Sequence, residues 1–264
     1  MSATLRSVAV IQARTSSTRL PGKTLAPIAG RASILFMCAR VRRARSLDGL
    51  CVATSVDPSD DELAAAIAAA GIEVFRGSLD DVLDRFVGAA RARGAGRVVR
   101  LTGDCPLIDP DLIDRAVDAL DGGLDYVSNI DPPRFPDGLD VEAMTMAALE
   151  AAAREATFGS DREHVTPFIR NRPDRFKPGH VGASVDLSSL RWTVDYPDDL
   201  ALVRRLVDGV AGDPVLADRF DFLRVHEALG LGKVAAHGRN EGLAASLARD
   251  AAQSAVESGP SGRR

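Results

Sequence analysis

Ser7-Val8-Ala9-Val10-Ile11-Gln12-Ala13 runs directly into Arg14-Thr15-Ser16-Ser17-Thr18-Arg19-Leu20-Pro21-Gly22-Lys23, and this junction sets the reading of the whole chain. The first segment is a short, charge-free apolar run, the pattern of a strand covered on both faces. The second is polar and basic, so the strand ends in a loop. Downstream the alternation repeats. Ser33 to Arg43 predicts a helix with Ile34, Leu35, Cys38 and Val41 on one face, and Leu50 to Ser55 predicts a second strand. Asp57-Pro58-Ser59 turns the chain into a helix over Asp60 to Ala70, which Gly71 ends. Ile72 to Phe75 predicts a strand, Leu79 to Arg93 a helix, Arg97 to Leu101 a strand, and Asp109-Pro110 opens a helix to Leu120.

Strands alternating with single helices imply βαβ units, hence an α/β fold with a mostly parallel central sheet. Right-handed crossovers place the loops after the strand C-termini along one edge, where open α/β sheets bind ligands. The second half is less regular. Strands are expected over Asp125 to Asn129, Leu139 to Met144 and Leu190 to Val194. Helices are expected over Met146 to Ala156, Arg162 to Asn171, Tyr196 to Asp208, and onward from Asp213-Pro214. From about Gly230 the chain becomes rich in Ala, Gly and Ser. One domain over residues 1–230 is therefore expected, followed by a flexible tail over 231–264 that lacks the apolar residues to dock firmly.

The 264 residues, 45% hydrophobic, suffice for one domain with a sizeable core. A net charge of −4 argues against nucleic-acid binding by bulk electrostatics. Cys38, Cys51 and Cys105 are scattered and form no CxxC or Cys/His pattern, which speaks against structural zinc and for a reducing compartment. No segment reads as a signal peptide or reaches about 18 consecutive apolar residues, so a cytoplasmic protein without a membrane partner is expected.

Four segments carry chemistry. In the loop from Arg14 to Lys23, two arginines, one lysine, four hydroxyl side chains and one glycine suit an anion with several oxygens, such as a triphosphate. Arg14 and Lys23 are placed to stabilise charge growing on a leaving pyrophosphate. The loop is not a P-loop, because Ser17 stands where that motif needs glycine. A solvated basic loop is the alternative. After the fourth strand, Thr102-Gly103-Asp104-Cys105-Pro106 puts Asp104 at the ligand edge, as a Mg²⁺ ligand or a simple turn residue. Asp109 caps the next helix. Asp195 repeats that logic at the end of Leu190 to Val194, as a second metal ligand or a helix cap. Asp140 and Glu142 alternate onto one strand face, and with His164 they are candidates to line an acceptor pocket. Cys105 beside Asp104 has nothing nearby to activate it as a nucleophile.

In order along the chain, Val10-Ile11-Gln12-Ala13-Arg14 with Ser17 to Lys23, Asp80 to Phe86, Thr102 to Ile108, Asp137 to Glu142, Arg162 to Phe168 and Thr193 to Asp199 resemble the cytidylyltransferase family. That family includes the CMP-KDO synthetases, the CMP-acylneuraminate synthetases and the SpsF-like spore-coat polysaccharide proteins, and the match is closest to the SpsF-like branch. The resemblance implies a Rossmann-like nucleotidyltransferase fold of the GT-A kind, a three-layer sandwich. It implies nucleotide contacts from Gln12, Ala13, Arg14, Arg19, Lys23, Thr102 and Gly103, with Arg14 and Lys23 catalytic. It implies Mg²⁺ on Asp104 and Asp195, CTP and a sugar or sugar acid as substrates, and a homodimer. Thr102-Gly103-Asp104-Cys105-Pro106 departs from the Gln-Gly-Asp-Glu-Pro of CMP-KDO synthetases, so KDO is not implied as the acceptor. Two other readings stay open: a glycosyltransferase using a nucleotide-sugar donor on the same fold, and a non-catalytic nucleotide-binding member of a polysaccharide cluster. On the nucleotidyltransferase reading, Arg14→Ala and Lys23→Ala should each lower turnover by roughly 10²-fold, measured as pyrophosphate release. With both side chains expected in an exposed loop, the thermal midpoint should hold.

Overall fold

The computed structural model describes residues 5–231, 238–239 and 241–257. The first half alternates as expected: β1 (Ser7–Gln12), a small hairpin of β2 (Pro27–Ile28) and β3 (Arg31–Ala32), α1 (Ser33–Val41), β4 (Gly49–Ser55), α2 (Asp61–Ala69), β5 (Glu73–Gly77), α3 (Val82–Ala92), β6 (Arg97–Thr102) and α4 (Pro110–Leu120). The second half adds β7 (Tyr126–Ser128), β8 (Glu142–Thr145), α5 (Met146–Glu155), α6 (Gly159–His164), α7 (Pro167–Arg170), β9 (Pro178–His180), α8 (Pro197–Asp208), α9 (Arg219–Ala228) and α10 (Glu241–Glu257). Among the described residues no helix is long and apolar enough to cross a membrane.

Seven strands form one sheet in the order β5-β4-β1-β6-β8-β7-β9. β5, β4, β1 and β6 are parallel neighbours, and β8 alone runs against the strands beside it. β1 shows why the fold is three-layered. Val8 and Val10 are wholly buried in one hydrophobic core with α3 and α5, while Ala9 and Ile11 are wholly buried in another with α1, α4 and α8. The alternation of side chains along a strand divides the two cores. The reversed strand matters for the site. Because β8 is antiparallel to β6, its first residue, Glu142, pairs with Arg100 near the C-terminal end of β6. The start of β8 thus reaches the edge where the parallel strands end.

Four expectations need correction, the simplest being that the helix expected from Asp213-Pro214 starts only at Arg219. Leu190 to Val194 is not a strand; apart from one bridge between Asp137 and Arg191 it joins no ladder. Leu190, Trp192 and Val194 are buried, which produced the strand-like alternation. Their backbone partners are loops instead. Trp192 N donates to Asp137 O (2.6 Å), and Val194 N donates to Asp104 O (2.8 Å). The helix expected over Arg162 to Asn171 is broken in two, with Val165 at φ 71° as its break and Pro167 starting the second piece. Finally, the tail expected from composition contains a 17-residue helix, α10, which packs on α6 with hydrogen bonds from Ser246 to Glu163 and from Ser160 to Asp250. The remainder of the expected tail, 232–237, 240 and 258–264, lies outside the described residues.

Gly138 permits the crossing of the two loops. Its φ is +108°, and a Cβ there would sit 2.5 Å from Thr193 N and 2.6 Å from Trp192 C, both backbone atoms. Gly138→Ala should therefore cost about 2 kcal/mol or more, lowering the Tm by roughly 4 °C or more in a thermal melt. Gly122→Ala, at an exposed position without such a contact, should leave the Tm nearly unchanged.

Candidate active site at the sheet edge

β1 and β6 end side by side, with Gln12 paired to Thr102. Past the ladder, Gly103 N donates to Gln12 O (2.8 Å), and a Cβ on Gly103 would come within 3.0 Å of both that oxygen and the Ala13 Cβ. Glycine at this position lets the two turns close on each other. The loop after β1 is held from the side by Asp60, which is fully buried. Its carboxylate accepts from Thr15 N (2.8 Å) and from the Ser55 hydroxyl (2.5 Å) at the end of β4.

Lys23 closes the loop. Its Nζ donates to Asp195 Oδ1 (2.7 Å), Val194 O (2.9 Å) and Asp104 Oδ2 (3.3 Å). Arg19 also reaches Asp195 Oδ1 (2.7 Å) and stacks over the Tyr196 ring. Burial opposes the Lys23 charge, but Asp104 and Asp195 outweigh it and raise the pKa of the ammonium. Burial likewise opposes ionisation of Asp104, and Lys23 with the Thr102 hydroxyl overcomes it, holding the carboxyl at about 2. On its other side Asp195 meets Arg191 (3.2 Å), which also grips Asp199 (3.0 Å) and Asp137 (2.6 Å). Burial counts against the Arg191 cation, yet these carboxylates raise its pKa. Cys105 is buried, and burial together with Asp104 pushes its thiol well above the ordinary range, so no thiolate nucleophile is present.

These groups open onto a cavity of about 770 Å³. All of Gln12, Ala13, Arg14, Arg19, Lys23, Thr102, Gly103, Asp104, Asp195, Asp140, Glu142 and His164 line it. Arg14 is exposed and makes no side-chain hydrogen bond or ion pair among the described residues. It lies close enough to Arg85 to lower that residue's pKa, second to the effect of burial. Two neighbouring cations facing a cavity favour an anion between them. Arg85 was missed as a site residue because it sits within the amphipathic helix α3, where an arginine reads as surface. Its guanidinium instead turns back to the Ser78 and Leu79 carbonyls. Gln12 Oε1, Thr24 Oγ1, Arg85 Nε and Arg100 Nε are buried without a hydrogen-bond partner, and all four residues line this cavity. Orphaned buried polar atoms are rare in folded proteins, and their concentration here marks a ligand site.

At the far end of the cavity the charged groups are already engaged. Glu142 is buried and bonded to Arg100 and the Tyr126 hydroxyl, which hold its pKa down against burial. Asp140 is bonded to Arg239, yet burial dominates and lifts its pKa to about 6. His164 Nε2 is 3.0 Å from the Ser246 hydroxyl. Burial lowers its pKa, helped by Arg100, Arg170 and Arg249 and opposed by Glu163. No group of three or more metal-ligating side chains exists among the described residues. The Asp104 and Asp195 carboxylates, which both touch one nitrogen, form the pair best suited to a hard divalent cation. Mg²⁺ needs only one or two carboxylates when phosphate oxygens and water complete its shell.

Lys23 is not the exposed side chain expected from the loop, since its side chain is only 11% accessible. Lys23→Met removes the counter-charge from Asp104 and Asp195. At pH 7 the variant should be less stable than the native chain by about 2 kcal/mol, the scale of a hydrogen bond to a charged group. The depressed Asp104 pKa means that the native advantage is present above the unfolded carboxyl pKa of about 3.9 and is lost as pH falls toward about 2. Urea unfolding at pH 7, 5 and 3.5 should show the gap narrowing at the lowest pH.

Comparison with known proteins agrees with this geometry. The family model described as "Cytidylyltransferase" matches residues 8–199. The spore coat polysaccharide biosynthesis protein SpsF of Bacillus subtilis is 35% identical over 204 residues, covering 75% of this chain and 84% of that protein. A 3-deoxy-manno-octulosonate cytidylyltransferase from an Anaeromyxobacter species (strain K) is 41% identical over 124 residues, covering 46% of this chain and 50% of that enzyme. Among solved structures, a cytidylyltransferase from Leptospira borgpetersenii superposes with a TM-score of 0.82 at 28% identity, covering 90% of this chain and all of that one. The chain belongs to the cytidylyltransferase family and is a nucleotidyltransferase.

Proposed function

We propose that this protein transfers CMP from CTP to a sugar acid or related acceptor, releasing pyrophosphate, in the synthesis of a surface polysaccharide or other glycan. The observation that carries this reading is the convergence of Lys23, Asp104 and Asp195, with Arg14 and Arg19, at one end of a single cavity. The family model supports CTP as donor, and the SpsF and octulosonate cytidylyltransferase relatives support a glycan-directed sugar acid as acceptor.

On this reading Gln12, Ala13, Thr102 and Gly103 seat the nucleoside, and Arg14, Arg19 and Lys23 take the triphosphate. An acceptor oxygen attacks the α-phosphorus, the bond to the bridging oxygen breaks, and pyrophosphate leaves. Arg14 and Lys23 lower the barrier by meeting the charge that grows on the leaving group. Asp104 and Asp195 would hold Mg²⁺, which supplies charge neutralisation for the phosphate oxygens. The rest is positioning, since nucleotidyl transfer asks for little covalent chemistry from the protein. Asp140, Glu142 and His164 shape the acceptor end. A glycosyltransferase of this fold would be expected to hold a metal through an Asp-x-Asp motif, and Asp109-Pro110-Asp111 is the one such triplet in the chain. Asp109 caps α4 and binds Arg219, Asp111 also binds Arg219, and neither residue lines the cavity.

A screen of four nucleoside triphosphates against sugar acids and phosphorylated small acids, read by pyrophosphate release, tests the proposal. Turnover should require CTP, an acceptor and a divalent cation. Asp104→Asn and Asp195→Asn should each lower turnover by roughly 10²-fold or more, and the double variant should be little worse than either, because groups acting as a unit are not additive. Independent, multiplying losses or activity that survives EDTA would count against a shared metal.

A further inference from the structure

Helix α10 lies beyond residues 8–199, which the family model matches, yet it borders the cavity. Its seating face is unusual. Over residues 241–253, Leu243, Ser246 and Asp250 are its less exposed positions, spaced i, i+3 and i+7 as on one face of a helix. Only one of the three is apolar, so the helix is fixed by polar contacts. The Ser246 hydroxyl, 1% exposed, lies 2.7 Å from Glu163 Oε2 and 3.0 Å from His164 Nε2. Asp250 Oδ2 accepts from Ser160 N (3.1 Å) at the start of α6, and Tyr196 Oη lies 3.2 Å from Glu241 Oε2. Just before the helix, Arg239 is bonded to Asp140 and to Phe135 O. Tyr196 adjoins Asp195 at the phosphate end, while the partners Asp140, Ser160, Glu163 and His164 line the cavity's far end.

Two cations at that end retain hydrogen-bonding capacity. Arg249 uses Nη2 for Glu163 (2.9 Å) and Ser246 (2.8 Å) and leaves its other donors uncommitted. Arg170 lines the same end and makes no side-chain hydrogen bond or ion pair among the described residues. Both line the same cavity as His164 and Glu163. An acid carrying several hydroxyl groups matches these donors, with the neighbouring Glu163 carboxylate as acceptor.

We infer that α10 is the acceptor-side wall of the site, and that Arg249, with Arg170, binds the carboxylate of the sugar acid. This rests on the function proposed above. Acceptor discrimination then resides in a helix outside the segment that the family model matches, while nucleotide binding resides within it. A wall held by polar contacts has little local stability of its own, so a ligand bridging it to the body should tighten it measurably.

Hydrogen exchange on the full chain tests this. The protein is incubated with Mg²⁺ and the α,β-methylene analogue of CTP, which cannot release pyrophosphate, and then, in separate samples, with 3-deoxy-manno-octulosonate and with N-acetylneuraminate as sugar-acid probes, an effect of either counting as the sugar-acid effect. The analogue alone should slow exchange around residues 14–23, and the sugar acid should additionally slow α6 and α10. Arg249→Ala, at a side chain 66% exposed, should weaken the sugar-acid effect roughly tenfold or more and leave the analogue's effect and the exchange of α10 without ligand unchanged. Arg249→Lys should restore part of it, and Arg45→Ala, at a side chain 89% exposed on another face, should change neither. Protection by the analogue without any sugar-acid effect on α10, or an unchanged response in Arg249→Ala, overturns the inference. Sugar-acid protection of α10 without protection of residues 14–23 would uphold the wall and overturn the nucleotide assignment instead.

Discussion

One ammonium group joins three distant parts of this chain. Lys23 comes from the loop after β1, Asp104 from the turn after β6, and Asp195 from the segment entering α8, and all meet at Lys23 Nζ. Two carboxylates brought this close would repel each other and resist burial without a cation between them. The rest of the site is arranged to hold that meeting in place. Asp60 pins the start of the loop, Gly103 lets the two turns touch, Val194 hands its N–H to the Asp104 carbonyl, and Arg191 fixes the outer oxygen of Asp195. A geometry this constrained suits chemistry in which the protein supplies placement and charge rather than covalent bonds.

The sheet topology explains why donor and acceptor functions share one cavity. The parallel strands β1 and β6 deliver the phosphate loop and Asp104 at their C-terminal ends. The single reversed strand, β8, delivers Glu142 at its N-terminal end to the same edge. Arg100 of β6 and Glu142 then form an ion pair in the cavity wall. Elsewhere the fold also uses cations as internal braces. Arg40, wholly buried in α1, donates to the Leu107 and Ile108 carbonyls and to those of Pro214 and Ala217, and lies over the Phe222 ring. It ties the turn after β6 to the approach of α9.

Much of this was legible in order along the chain. The apolar runs ending in polar loops, the caps at Asp109 and Asp57, and the glycines after helices predict the alternating elements, because those signals are local and act within a turn or two. The family segments pick out the same polar residues that line the cavity. What local signals do not carry is partnership. Leu190, Trp192 and Val194 alternate like a strand, and only the fold shows that loops, not strands, accept their hydrogen bonds. Arg85 reads as helix surface, and Lys23 as an exposed loop residue, until the chain is closed around them. The region past Gly230 has the composition of a tail, and apolar content is a fair guide to docking only where burial of apolar area does the holding. Helix α10 is held by Ser246 and Asp250 on polar partners some eighty to ninety residues earlier in the chain, contacts that composition does not register. The amino-acid sequence by itself thus determined the α/β alternation of the first half, the basic loop and the carboxylate just after β6, since each follows from residues adjacent in the chain. Tertiary structure alone decided which carboxylate meets which cation and which helix walls the cavity, since those pairings depend on distances that exist only once the sheet has formed.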